Sequence, residues 1–136
     1  MANALYNSAK EYFITGGMDV SNGNVKVLLV KSTYSVDLVN HEFVSDIGSS
    51  NIAARSDQLD NTTVTDGVFD ASNETVESIG LDGFDYVILY SDTGDDSTSK
   101  LIAYIDTGEG LPVSSNSTSI DITIKWSDEP SRIFSL

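Results

Sequence analysis

The sequence predicts a mainly β protein, an antiparallel β-sandwich or barrel of jelly-roll-like form, with one short helix near its N-terminus. Three observations carry that expectation. Phe84 to Asp106 (FDYVILYSDTGDDSTSKLIAYID) places two strongly apolar runs around a polar loop, the pattern of a hairpin covered on both faces. Ile120 to Trp126 (IDITIKW) sets Ile120, Ile122, Ile124 and Trp126 on one face and Asp121, Thr123 and Lys125 on the other. Such a strand turns one side to a core and the other to water. Turn residues also recur at intervals of about eight to twelve residues, as in antiparallel all-β domains.

The chain of 136 residues is expected to form a single domain over 1–136, large enough to bury one core. Asn3 to Thr15 (NALYNSAKEYFIT) has the helical pattern. Leu5, Ala9, Tyr12 and Phe13 make one apolar stripe, Asn3 is the expected N-cap, and Gly16-Gly17 supplies the stop. So short a helix must pack on something. It is expected to plug one open end of the sheet core; contact with a neighbouring subunit is its alternative use.

Val25 to Val30 (VKVLLV) is the first clear strand, with Val25, Val27 and Leu29 sharing a face. Lys31 to Asn40 reads as a loop or irregular edge, and His41 to Ile47 suits either one helical turn or a short strand. Ile52 to Gln58 and Thr62 to Val64 are weaker strand candidates. Asp66-Gly67 turns into Val68-Phe69; Glu74 to Ile79 is a further strand, and Leu81-Asp82-Gly83 turns into the central hairpin. There, strict alternation puts Phe84, Tyr86, Ile88 and Tyr90 opposite Val87 and Leu89. It likewise puts Leu101, Ala103 and Ile105 opposite Ile102 and Tyr104. Thr107 to Pro112 is a tight turn, Ser114 to Ser119 a polar loop, and Ser127 to Pro130 a turn. Ile133, Phe134 and Leu136 close the chain as a short strand.

Function is approached by exclusion. Without cysteine there is no disulfide framework, thiolate metal site or cysteine nucleophile. A net charge of -14 repels phosphate backbones and anionic lipid, so no nucleic-acid or membrane partner is expected. No apolar run is long enough to span a bilayer, and the N-terminus lacks the basic start and apolar run of a signal peptide. His41 is the sole histidine and reads as a surface or loop residue. Asp92, Asp95 and Asp96 surround Gly94 in the hairpin loop, but their spacing departs from the helix-loop-helix calcium pattern. A solvated acidic loop is expected there. Asp85, the one acid in apolar company, reads as a paired or strand-start residue. No phosphate-cradling loop, nucleophile elbow or zinc-protease helix is present. The residues therefore predict no catalytic activity, cofactor or metal.

Several stretches taken together resemble a family of small virion structural proteins of tailed bacteriophages. They are MANALYNSAKEYFITGGMDV, NVKVLLVKSTYSVDL, HEFVSDI, VTDGVFDA, YSDTGDDSTSKLIAYIDTGEGLPV and ITIKWSDEPSRIFSL, in that order. The shared residues are strand, turn and glycine positions. The resemblance implies a particle component made in the host cytoplasm, without catalytic residues or cofactors. Its expected place is the capsid outer surface, as a decoration or cement protein bridging major capsid protein subunits. By family analogy it would be a homo-oligomer, a trimer at a threefold position. Tyr6, Tyr12, Tyr34 and Trp126 are the candidate aromatic contacts with shell or subunit. The alternatives are a tail or neck component, a tube or adaptor protein joining neighbours through Lys31 to Asn40 or Ser91 to Lys100, and a carbohydrate-binding β-sandwich stacking sugars on Tyr90, Tyr104 or Trp126.

Overall fold

The computed structural model describes residues 4–17, 24–59, 62–65, 68–71, 74–79, 84–105, 120–124, 127–128, 131–132 and 134–135. It is mainly β with one short helix. In chain order the elements are β1 (Ala4–Leu5), α1 (Asn7–Thr15), β2 (Val25–Val30), β3 (Ile52–Arg55), β4 (Thr63–Thr65), β5 (Val68–Asp70) and β6 (Glu74–Ile79). There follow β7 (Tyr86–Ser91), β8 (Lys100–Ile105), β9 (Ile120–Ile124), β10 (Ser127–Asp128), β11 (Ser131–Arg132) and β12 (Phe134–Ser135).

The predicted hairpin β7–β8 lies inside an antiparallel sheet of order β1-β8-β7-β2-β3. Smaller sheets pair β12-β5-β4, β6-β9 and β10-β11. The five-stranded sheet is open, ending at β1 and β3, so its strands do not close into the barrel that the sequence allowed. Both of its faces are nonetheless covered, as the two-sided apolar runs require. On one face Val25, Val27, Leu29, Val87, Leu89 and Ile102 pack with Leu59, Phe69 and Phe84. On the other, Leu28, Val30, Ile88, Tyr90, Leu101 and Tyr104 pack beneath Tyr6, Ala9, Tyr34, Val44 and Ile47. Helix α1 and the long 31–51 segment thus lie over a sheet face; the helix does not plug an open end.

A β-bulge reassigns the faces that strict alternation predicts for β8, and register shifts also interrupt the β2–β3 and β6–β9 ladders. Leu89 pairs with Ala103 and Tyr90 with Leu101, leaving Ile102 as the extra residue of β8. Ile102 and Ala103 therefore enter one core while Leu101 joins Tyr104 in the other. A bulge sets two residues against one and shifts the pleat by one position. The shift between Leu29 and Val30 leaves Ala53 unpaired in β3. Phe84 is also reassigned: it lies before β7 begins and packs with Val87 and Leu89, away from Tyr86, Ile88 and Tyr90. Asp85 is a half-buried strand-start residue whose N–H donates to the Val30 carbonyl.

The N-terminal helix starts later than its apolar stripe suggests. Ala4 and Leu5 are drawn into antiparallel pairing with Tyr104 and Ala103. Tyr6, not Asn3, is the extended residue at the helix start, and it makes no side-chain cap; Asn3 lies outside the described residues. One of the free N–H groups of the first turn, that of Asn7, is satisfied by the Leu38 carbonyl at 2.9 Å. At the other end Gly16 adopts φ 79°, and the Gly17 N–H returns to the Tyr12 carbonyl. That left-handed stop is the one expected.

The edge of β8 is completed from two distant pieces. Its second half pairs with β1. Its first half pairs with Glu42–Val44, through Leu101 N–H to the Glu42 carbonyl and Val44 N–H to the Ser99 carbonyl, each at 2.9 Å. Residues 41–47 resolve into both predicted options in succession: Phe43 bridges Lys100, then Val44–Asp46 forms a single 3-10 turn. Strands β10 and β11 pair antiparallel, Ser127 opposite Arg132 and Asp128 opposite Ser131, while positions 129 and 130 of the predicted turn lie outside the described residues. Strand β9 pairs with β6, Val76 opposite Ile122. Thr107 to Pro112, Ser114 to Ser119 and Trp126 lie outside the described residues.

Candidate functional site

Among the described residues, polar side chains gather beside α1 and in the β7–β8 loop. Beside α1, Tyr6 and Tyr34 are core residues, 0% and 4% exposed, with their hydroxyls 2.9 Å apart. The Tyr34 hydroxyl also lies 2.8 Å from Nδ1 of His41, whose ring stacks on that of Tyr34. Burial, with Tyr34 alongside, pushes the Tyr6 hydroxyl far above its ordinary pKa, so it stays protonated. The Tyr34 hydroxyl is raised as well, chiefly by burial.

This placement corrects two of the predicted contact residues. An aromatic anchor must leave the surface of its own chain to enter a partner, and Tyr6 and Tyr34 are already enclosed. Tyr12 stands at the surface, half-buried, where its hydroxyl donates to the Glu42 carboxylate. The Lys100 ammonium sits 4.0 Å from the centre of the Tyr12 ring and 3.3 Å from the Gly17 carbonyl. Trp126 lies outside the described residues. Tyr90 and Tyr104, offered as sugar-stacking rings, are 1% and 2% exposed. Rings so deeply buried have no free face for a sugar.

In the β7–β8 loop the three aspartates turn to three different partners. Asp92 meets the Lys26 ammonium at 2.7 Å and accepts the Gly94 N–H at 3.0 Å, in a turn where Gly94 takes φ 88°. Asp95 accepts the N–H and hydroxyl of Ser97. Asp96 receives both arms of the Arg55 guanidinium, at 2.7 and 2.6 Å. Each carboxyl is held below its usual range, Asp92 chiefly by Lys26, Asp95 by Ser97 and Asp96 by Arg55. Divergent carboxylates form no common coordination sphere. Among the described residues no three His, Cys, Asp or Glu side chains converge as a metal site.

Sequence reasoning missed the Tyr6–Tyr34–His41 chain and the Arg55–Asp96 pair, whose members are separated by 28, 7 and 41 positions. It also missed two buried serines. The Ser56 hydroxyl accepts the Val27 N–H and donates to the Asp57 carbonyl, replacing strand pairing where β3 ends. The Ser99 hydroxyl donates to the Asp95 carbonyl and accepts the Thr93 N–H. The only sequence signals were a lone histidine and a tyrosine inside a polar loop.

The sequence matches no protein-family model, and no curated protein matches it either.

Proposed function

We propose that this chain is a structural component of a tailed-bacteriophage particle, serving as a capsid decoration or cement protein that bridges and stabilises major capsid protein subunits. The observation that carries the reading is the use to which the reactive side chains are put. Among the described residues His41, Asp92, Asp96, Arg55, Lys26 and Tyr12 each bond a residue seven or more positions away in the chain. A protein so arranged works by shape, charge and contact. The net charge of -14 suits docking on a basic shell surface, and the resemblance to virion structural proteins points the same way. Tyr12 and Trp126 remain proposed contacts, and a homotrimer at a threefold position is the proposed assembly.

The tail or neck alternative needs a loop free to reach a neighbouring subunit. Both loops offered for that task are engaged at home. Tyr34 of the Lys31 to Asn40 loop is buried over the sheet, and Asp96 of the Ser91 to Lys100 loop is tied to Arg55 and, through its carbonyl, to the Ser45 N–H.

Cryo-electron microscopy of purified particles, with copy counting, tests the proposal. Copies in a regular array over the shell are expected. A few copies at one vertex, or stacked rings in a tail, would overturn it.

A further inference from the structure

The protons along Tyr6, Tyr34 and His41 can be counted. A tyrosine hydroxyl has one proton to give and two lone pairs. The Tyr34 hydroxyl meets both the Tyr6 hydroxyl and Nδ1 of His41. If Tyr6 donates to Tyr34, the Tyr34 proton goes to Nδ1 of His41. In the opposite order His41 donates to Tyr34 and Tyr34 to Tyr6, so the Tyr6 proton must find an acceptor outside the trio. Only the first order satisfies every hydroxyl proton within the trio. It requires a neutral imidazole with its proton on Nε2. An imidazolium carries protons on both nitrogens and can accept none.

We propose that His41 is a pH-responsive latch on the N-terminal β1–α1 unit: when the imidazole gains a second proton, the Tyr6–Tyr34–His41 chain must reverse or break, and the grip of β1–α1 on the 31–51 segment loosens. The response is local because Tyr6 is the junction of β1 and α1. Its N–H bonds the Ile102 carbonyl at 3.0 Å, and the next N–H, of Asn7, bonds Leu38 of the opposing segment. Among the described residues, the titratable groups around the imidazole come from its own segment and from the β1–α1 unit. Asp37 and Asp46 on its own segment both interact with it. Glu42, its neighbour in sequence, is held by Tyr12 of α1, and Tyr6 reaches it through Tyr34. An imidazolium released from Tyr34 therefore has Asp37 and Asp46 as counter-charges. Both carboxyls are held below their usual range, by Asn40 for Asp37 and by the Phe43 and Glu42 N–H groups for Asp46, which favours their ionised form.

The test is amide hydrogen exchange on the full chain at about pH 8 and about pH 5, corrected for intrinsic rates, in the wild type and in His41→Gln. Glutamine offers Tyr34 an acceptor oxygen at both pH values and does not titrate. Acidification is expected to reduce protection of the Tyr6 and Asn7 amides about tenfold in the wild type, as one unsatisfied buried hydroxyl would, and to leave the variant unchanged. The central-strand amides of Val27 and Leu89 serve as the internal reference and stay constant in both. Nitrogen-15 spectra of the wild type at about pH 8 should show Nδ1 unprotonated, a readout that does not depend on the variant folding. An equal pH response in both proteins, or a protonated Nδ1 at that pH, overturns the proposal.

Discussion

Arg55 grips both carboxylate oxygens of Asp96, at 2.7 and 2.6 Å, joining edge strand β3 to the loop between β7 and β8. The two side chains are 37% and 39% exposed, so water and salt screen the pair and its two-pronged geometry supplies most of its worth. A double-mutant cycle on Arg55→Ala and Asp96→Ala, followed by urea denaturation, should give a coupling of about 0.5–1 kcal/mol that shrinks in high salt. Arg55→Lys should recover only part of it, because an ammonium cannot engage both oxygens in parallel. No measurable coupling at low salt would contradict the assigned geometry.

Acid sensitivity follows from the same loop and its neighbours. Asp37, Asp46, Asp92, Asp95 and Asp96 all have carboxyls held below the ordinary range. A group depressed in the folded state contributes stability that is present above its unfolded value, about 3.9 for aspartate, and lost as pH falls through the folded value. From these five groups, stability should hold level down to about pH 5 and decline below about pH 4. Urea midpoints measured across that range check the expectation, and Asp96→Asn should flatten the decline. A decline of the same depth in the variant would remove Asp96 from the account.

The buried hydroxyl pair makes an asymmetric prediction. Tyr34→Phe strands the Tyr6 hydroxyl in the core and should cost about 1–3 kcal/mol, whereas Tyr6→Phe leaves Tyr34 its bond to His41 and should cost about 1 kcal/mol. The double variant, which removes both hydroxyls, should be more stable than Tyr34→Phe alone. Chemical denaturation of the three proteins decides it; equal losses for the two single variants would contradict the ordering.

Gly16 tests the helix stop. A Cβ there meets no atom within 4 Å, so any penalty comes from the backbone at φ 79° alone. Gly16→Ala should cost about 1–2 kcal/mol and Gly16→Asn less, since asparagine tolerates the left-handed region. Thermal melts of the two variants measure the difference, and an unchanged melting temperature for the alanine variant would contradict the assigned conformation.

The core of the sheet gives the largest expected losses. Leu89 and Leu101 are fully buried on opposite faces, and replacing either by alanine should cost about 2–5 kcal/mol. A solvated face would tolerate one of the two changes, so denaturation of both variants tests whether the sheet is covered on both sides.

Much of the fold was legible because its signals are local. Period-two runs marked β2, β7 and β8, and a glycine pair marked the end of α1. The faces of β8 were not legible past Leu101. A bulge at Ile102 depends on which residues of β7 stand opposite, and nothing in the run LIAYI announces it. The start of α1 was misread for a related reason. Ala4 and Leu5 suit a helix by propensity, but pairing with Tyr104 and Ala103 draws them into the sheet, a tertiary contact overriding a weak local preference.

By itself, then, the sequence determined the β character of the chain, its central hairpin and its strongly negative charge, because each follows from composition or from neighbours a few residues apart. Only the tertiary structure decided that Tyr6 and Tyr34 are enclosed, that the lone histidine ends a buried hydroxyl chain, and that the loop aspartates turn to separate partners. Most of those facts are set by pairs of residues far apart along the chain. Where such residues meet depends on how the sheet and its coverings pack, and no periodicity or spacing encodes that.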